Sequence, residues 1–491
     1  PTTPNRLYHW TGTIDPAGAA GGPAISNPAD YVPVYNWTTY PERLEAAGVS
    51  WQVYANDEVG DGADGYVGDY GDNPLWLFQA YHDALASSDP KRRRLAQRAS
   101  LRAAWKPDAG KGHDVDHVLE QFIGDCRSGS LPTVSWVVAP YAYSEHPQAR
   151  PADGANYTNR VLEALWSNEK LWESSVVFLN FDENDGFFDH LPAPFPAPGT
   201  PGEYVTGLPI GLGPRVPMTV VSPWSRGGWV DSQVSDHTSV IRFLEALTGV
   251  HEPNISRWRR EVCGDLTSCF DFTHHDPSIP TLPDTAALVR IADAEKSLPP
   301  ATPPPTGQQH RPKPEFASRR QRILPYQVTA DAGVGGHTLR IRADNAGSAA
   351  VSLLGYDKLA ADITATPLLV GEKSSADWHV ATSDGRYDVE LHGPNGFLRT
   401  FAGSDTGDTA VSSRLQTGHS RALQLRLSNK SRRAARFTLH ANDFGAEERI
   451  VEVRPGRTVR VDWPTADGWY DVTVSAVDEL TYRFAGKIER P

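Results

Sequence analysis

An α/β domain followed by two all-β sandwich domains is the fold class that this sequence predicts, from three observations. Helix-like and strand-like segments alternate up to about residue 290. A polar, proline-rich stretch then interrupts the chain. Beyond it, the segment from Asp384 recurs from Asp467. At 491 residues the chain exceeds one ordinary core, so more than one domain is expected.

In chain order, residues 41–54 (PERLEAAGVSWQVY) place a proline near a helix start, an amphipathic run, Gly48 as a stop and then an extended segment. Residues 131–140 (LPTVSWVVAP), 174–185 (SSVVFLNFDEND) and 216–225 (VPMTVVSPWS) are short apolar runs rich in Val and Phe, as expected of buried strands in a parallel sheet. Residues 157–172 have helical periodicity and connect two of these runs. Strands alternating with helices imply layered α/β architecture. The division expected is 1–295, a linker or surface strap at 296–323, then repeats at 324–405 and 406–491. In the repeats, Asp384, Gly385, Tyr387, Asp388 and Val389 recur as Asp467, Gly468, Tyr470, Asp471 and Val472. Alternation of period two with turn residues between runs indicates antiparallel strands.

Composition excludes some roles. A net charge of −13, from 60 acidic and 47 basic side chains, argues against nucleic-acid binding, which needs a basic face. No run of 18 apolar residues is present to form a transmembrane helix. The chain begins at Pro1 without an initiator Met or signal peptide, so the expectation is that either processing or truncation has removed the true start. Cys263 and Cys269, six apart, either pair as a small disulfide loop or stay reduced.

Four stretches carry candidate chemistry. Thr2 precedes a proline at a helix start, where free N–H groups and the helix dipole favour a phosphate; the plain alternative is an N-cap. Asp182, Glu183 and Asp185 directly follow an apolar strand, and adjacent carboxylates there call for a divalent cation; a solvated acidic loop is the alternative. An EF-hand does not fit, because the glycine falls at the fifth loop position instead of the sixth. His146, in the SEHP loop, is placed to contact a phosphoryl oxygen or protonate a leaving group. Asp236 reads as an N-cap, with His237 and His190 as secondary candidates; His113 and His117 read as surface residues.

Together TTPNRLYHWTGTIDP, SEHP, FDENDGFFDH, GLGPRVPMTVVSPWSRGGWV and DHTSVIRFLEAL resemble, in order, the bacterial phospholipase C and acid phosphatase phosphoesterase family. The C-terminal pair is similar to the tandem β-domains of the phospholipase C branch. The resemblance implies an alkaline-phosphatase-like α/β/α sandwich, with Thr2 as nucleophile and Pro4 and Arg6 in register with the sulfatase pattern Cys-x-Pro-x-Arg. It further implies Asp182 and Glu183 as ligands of a divalent metal ion and His146 as a phosphoryl contact. The implied activity is hydrolysis of phosphatidylcholine-type phospholipids to diacylglycerol and a phosphorylated head group through a phosphothreonine intermediate. A peripheral membrane surface is the implied partner, and a secreted, periplasmic or cell-surface location follows. Acid phosphatase or sphingomyelinase activity is the alternative on the same fold; an inactive fragment whose β-domains bind a partner is another. The family's Glu-Asn and Ser-Phe-Asp-His motifs, which supply further metal ligands, have no counterpart here.

Overall fold

The structure, a computed structural model, describes the chain apart from residues 57–63, 69–70, 102–113, 187–188, 304, 309–318, 419–420, 477–478 and 491. Helix α1 (Thr2–Thr11) stops at Gly12, whose φ of 74° lies in the left-handed region that glycine adopts without a Cβ penalty. Helix α2 (Tyr40–Ala47) starts in a reciprocal box: the Thr39 hydroxyl accepts from the Glu42 N–H, and the Glu42 carboxylate accepts from the Thr39 N–H. Strand β1 (Trp51–Tyr54) follows and pairs in parallel with β2 (Val134–Val137).

Alternation along β2 sorts side chains between two layers. Val134, Trp136 and Val138 pack with residues of α1, α2 and α5 (Thr238–Thr248). Val137 and Ala139 pack with residues of α3 (Glu120–Ser128) and α4 (Pro151–Trp166). The strands thus lie between two helical layers, as the alternating sequence predicts. The expectation of one parallel sheet does not hold. Strand β3 (Val177–Asn180) pairs antiparallel with β4 (Met218–Val221), and no described strand joins β2 to β3. Nor are these strands fully buried: every residue of β3 is partly exposed, because one of its edges faces an apolar cleft. A short apolar run reports burial, not pairing direction, which is why the sequence misled here.

His117 corrects the surface reading. Its side chain is only 7% exposed, against Glu120 at 3.3 Å, because neighbouring Val115 and Val118 draw that turn into the core. His113 lies outside the described residues. Cys126, Cys263 and Cys269 are all unpaired thiols, so the disulfide alternative falls away. Helix α6 (Thr285–Glu295) buries no residue, and at the far end of the proline-rich stretch Arg320 and Gln321 pair in parallel with Trp229 and Val230. That end is strapped to the first domain.

The repeats supply strands β5–β11 (Val328–Gly335, Thr338–Asn345, Val351–Asp357, Ala365–Val370, Ser374–Ala381, Arg386–His392, Leu398–Ser404) and β12–β18 (Thr409–Gln416, Ala422–Asn429, Ala435–Ala441, Arg449–Val453, Thr458–Pro464, Trp469–Ala476, Thr481–Lys487). They are not two separate sandwiches. One eight-stranded sheet, in order β8-β7-β10-β11-β18-β17-β14-β15, runs through both, and each repeat covers its half with three further strands. The join is β11 against β18, with Leu398 opposite Ala485, over one continuous core. Buried Arg399 crosses it, donating to the Ala485 carbonyl at 2.7 Å and the Tyr470 hydroxyl at 2.9 Å. Edge-to-edge joining hides two edge strands that would otherwise invite aggregation. The repeats are therefore expected to unfold in one cooperative step. Fluorescence and circular dichroism midpoints of an excised 321–491 fragment should coincide, whereas 408–491 alone should show no cooperative transition.

Candidate active site

Thr2 is the first residue of α1, not a residue ahead of it, so its hydroxyl sits at the positive end of the helix dipole. The Thr2 hydroxyl donates to Glu183 Oε1 at 3.2 Å. Neighbouring Thr3 donates its N–H to Asn27 Oδ1 at 2.9 Å, which pins the helix start. One turn along, Arg6 donates through Nε to Asp182 Oδ2 at 3.1 Å and through Nη1 to the Asp72 carbonyl at 2.7 Å. Its Nη2 lies 3.3 Å from Asp72 Oδ2. The helix start and the loop after β3 are thereby tied together through Thr2–Glu183 and Arg6–Asp182.

Asp72 is a site residue that sequence reasoning missed, since it stands in a turn-rich stretch without periodicity. Burial pushes its carboxyl up, against the pull of Arg6; Asp182 and Glu183 push it further, and His146 opposes them. His146 therefore lies within electrostatic reach of the same carboxyl. Its turn is held by a close approach: Glu145, at φ 61°, lies over Gly154 of α4, where an added Cβ would stand 2.2 Å from Glu145 Cγ. His146 Nδ1 is 3.1 Å from the Tyr141 hydroxyl.

His237 joins the site from the opposite side. Its Nε2 is 2.9 Å from the Asp182 carbonyl, which only accepts, so Nε2 carries the proton and Nδ1 accepts from Asn180 Nδ2 at 3.4 Å. Burial lowers its pKa in spite of Asp236. Asp236 is fixed by Arg259, whose Nη1 donates to it at 2.6 Å. The same buried guanidinium donates to both Glu203 oxygens, at 2.8 and 3.1 Å, and stacks 3.9 Å over the Tyr8 ring. Arg259 and Glu203 carried no motif in the sequence; only the fold brings them together. His190 is 80% exposed, 3.8 Å from Asp189, and lies apart from this network.

His9, on α1 between Arg6 and Trp10, has its ring 6.4 Å from that of His237 and a buried Nδ1 without a hydrogen-bond partner. Burial, with repulsion from His237 and Arg6, pushes it down to about 3. The unfolded imidazole binds its proton near pH 6.5, while the folded one refuses it until about pH 3. Stability is thus full above pH 6.5 and falls as pH drops toward 3. Thermal melts from pH 7.5 to 4.5 should show a flatter decline for His9→Gln than for the unmodified chain.

The Thr2 hydroxyl and the Asp182 and Glu183 carboxylates are the oxygen donors that face one another here. One Asp182 oxygen is already engaged by Arg6. Among the described residues no group of three or more His, Cys, Asp or Glu side chains is arranged to hold a metal ion. Hard divalent cations take six or more oxygen ligands. The residues present therefore do not complete a metal site. Calorimetric titration with Ca²⁺, Mn²⁺ or Zn²⁺ is expected to show affinity no tighter than about 10⁻⁴–10⁻³ M, the range of sparse oxygen sites.

Residues 1–251 match the model of the phosphoesterase family, and residues 321–404 and 408–487 each match that of the bacterial phospholipase C C-terminal domain. The chain belongs to the phosphoesterase family. Its relatives include the non-hemolytic phospholipase C of Pseudomonas aeruginosa, 41% identical over 99% of this chain and 72% of that protein. The protein of the same description from Burkholderia pseudomallei is 39% identical over 99% of this chain and 73% of its own length. Phospholipase C B of Mycobacterium tuberculosis is 40% identical over 57% of this chain and 52% of its own. No helix among the described residues is long and apolar enough to cross a membrane.

Proposed function

We propose that this chain is a phospholipase C that cleaves phosphatidylcholine-type lipids to diacylglycerol and a phosphorylated head group, with Thr2 as nucleophile. The observation that carries this reading is the Thr2 hydroxyl held 3.2 Å from the Glu183 carboxylate at the N-terminus of α1, with Arg6 one turn away. Glu183 accepts the hydroxyl proton as the Thr2 oxygen bonds to phosphorus and the bond to the diacylglycerol oxygen breaks. Arg6 and the dipole of α1 balance the charge on the phosphoryl oxygens. His146 supplies the proton that the leaving oxygen takes. Water then attacks the phosphorus, releases the phosphorylated head group and restores Thr2.

In the same reading residues 1–295 form an alkaline-phosphatase-like catalytic domain, 296–323 the linking strap, and 324–405 and 406–491 the repeats that brace it at a lipid surface outside the cytoplasm. Asp182 and Glu183 are its metal ligands where further donors are supplied. Comparing turnover of phosphatidylcholine, sphingomyelin and p-nitrophenyl phosphate tests this; the phospholipase reading requires the first to be preferred. The incomplete donor set favours one second reading, a non-catalytic chain whose repeats bind a partner. A folded chain inert on all three substrates would select it.

A further inference from the structure

Three histidines stand at or beside the reaction site, and they differ in what their ring nitrogens can do. His237 has both engaged, Nε2 by the Asp182 carbonyl and Nδ1 by Asn180. His9 is held neutral by burial. His146 has Nδ1 engaged at 3.1 Å by the Tyr141 hydroxyl, and among the described residues no group engages its Nε2.

The direction of the Tyr141 contact decides which nitrogen of His146 carries the proton. A tyrosine hydroxyl has one proton to give. Tyr141 donates it to Gln148 Oε1 at 2.7 Å, an amide oxygen that only accepts. The same hydroxyl therefore accepts from His146, so Nδ1 carries the imidazole proton and Nε2 presents its lone pair. The Tyr141 ring also lies against the imidazole, with centroids 5.1 Å apart. The backbone is fixed as well: His146 N–H donates to Ser144 Oγ at 3.2 Å, and the His146 carbonyl accepts from Ala149 N–H at 2.6 Å. The turn that carries Tyr141 is anchored in its own right, through Tyr141 N–H to the Gly68 carbonyl at 2.9 Å and Ala142 N–H to the Gly65 carbonyl at 2.7 Å. Holding a loop side chain at its backbone, ring face and one ring nitrogen costs conformational freedom. What it secures is a single aim for the other nitrogen.

We propose that Tyr141 and Gln148 are positioning residues: they hold His146 with Nδ1 protonated, so that Nε2 alone exchanges protons with the reacting oxygens. The chemistry rests on the phospholipase reading, while the tautomer rests on geometry alone. As the Thr2 oxygen bonds to phosphorus, the Nε2 proton of the His146 imidazolium passes to the diacylglycerol oxygen, whose bond to phosphorus breaks; Glu183 holds the Thr2 proton. Water then bonds to phosphorus and yields a proton to the bare Nε2, and Glu183 returns its proton to the departing Thr2 oxygen. Nδ1 donates to Tyr141 in both protonation states, so the pair stays in place between the two steps. The opposite tautomer carries its proton on Nε2 and has no lone pair there for the proton of water.

The test reads the tautomer first, by nitrogen-15 NMR of the histidine-labelled whole chain at about pH 9, where a free imidazole is neutral. His146 is assigned through His146→Gln. The unmodified chain and Gln148→Glu, whose carboxylate only accepts, are expected to show a protonated Nδ1 and a bare Nε2. Tyr141→Phe keeps the ring contact and removes the acceptor, and is expected to move the proton toward Nε2. A proton on Nε2 in the unmodified chain, or a tautomer that Tyr141→Phe leaves unchanged, would overturn the proposal. Turnover supplies the second reading. Tyr141→Phe is expected to lower kcat on phosphatidylcholine by about ten- to a hundredfold, with KM held within about twofold. With p-nitrophenylphosphocholine, whose phenolate leaves without a proton, the first turnover should keep its rate while later ones slow. First and later turnovers slowing together would mark a merely structural loss and would also overturn the proposal. A chain inert on both substrates would sink the phospholipase reading, and the NMR result, which needs no activity, would still decide how His146 is held.

Discussion

Thr2→Ala is expected to lower phosphatidylcholine hydrolysis by about 10⁴–10⁶-fold, the range seen when an enzyme loses its nucleophile. The hydroxyl lies in the first turn of α1, at the positive end of the helix dipole, and donates to the Glu183 carboxylate at 3.2 Å. Removing it leaves Arg6, Asp72 and Asp182 in place, so substrate binding should persist while turnover is lost. Thr2→Ser keeps the oxygen and should stay within about tenfold of the unmodified chain, since only a methyl contact is given up. Paired kcat and KM values for the two variants check this. A loss shared by both would point to helix-start disruption in place of lost chemistry, and circular dichroism of each variant distinguishes the two.

The second large effect is on stability. Arg259→Met should destabilise the fold by about 3–5 kcal/mol, because it leaves Glu203 and Asp236 without their cation in a buried setting. Arg259 is 2% exposed, and its guanidinium satisfies two carboxylates and the Gly211 carbonyl together. Methionine matches much of its volume, so the loss measures charge and hydrogen bonding more than packing. Double substitution of Arg259→Met with Glu203→Gln should recover part of the deficit, since one uncompensated charge is then removed. Urea denaturation of the single and double variants reads both numbers. The single variant should also loosen His237, because Asp236 precedes it and holds the start of α5 through the Thr238 N–H at 3.0 Å.

Much of the fold was legible because local chemistry decided it. Pro41 and Gly48 bracket α2, alternation marks the strands of both repeats, and the recurrence from Asp384 to Asp467 exposes the duplication. What escaped was pairing between distant segments. Strand β3 reads as a buried strand of a parallel sheet, yet its partner is antiparallel and one edge faces the apolar cleft. The fusion of the repeats across β11 and β18 is equally silent, since Leu398 opposite Ala485 leaves no local signature. At the site, Thr2, Asp182 and Glu183 stood out through a helix start and a strand end, and the structure places Thr2 against Glu183. Asp72, Glu203 and Arg259 did not, because their roles arise from burial and charge pairing with partners 56 or 66 positions away in sequence.

The most direct test of the central claim is covalent. Acid-quenched reaction of the chain with phosphatidylcholine, followed by peptide mapping by mass spectrometry, should find a phosphocholine ester on the Thr2 oxygen and none in Thr2→Ala. Turnover with no adduct on Thr2, or with the adduct on another residue, would contradict it.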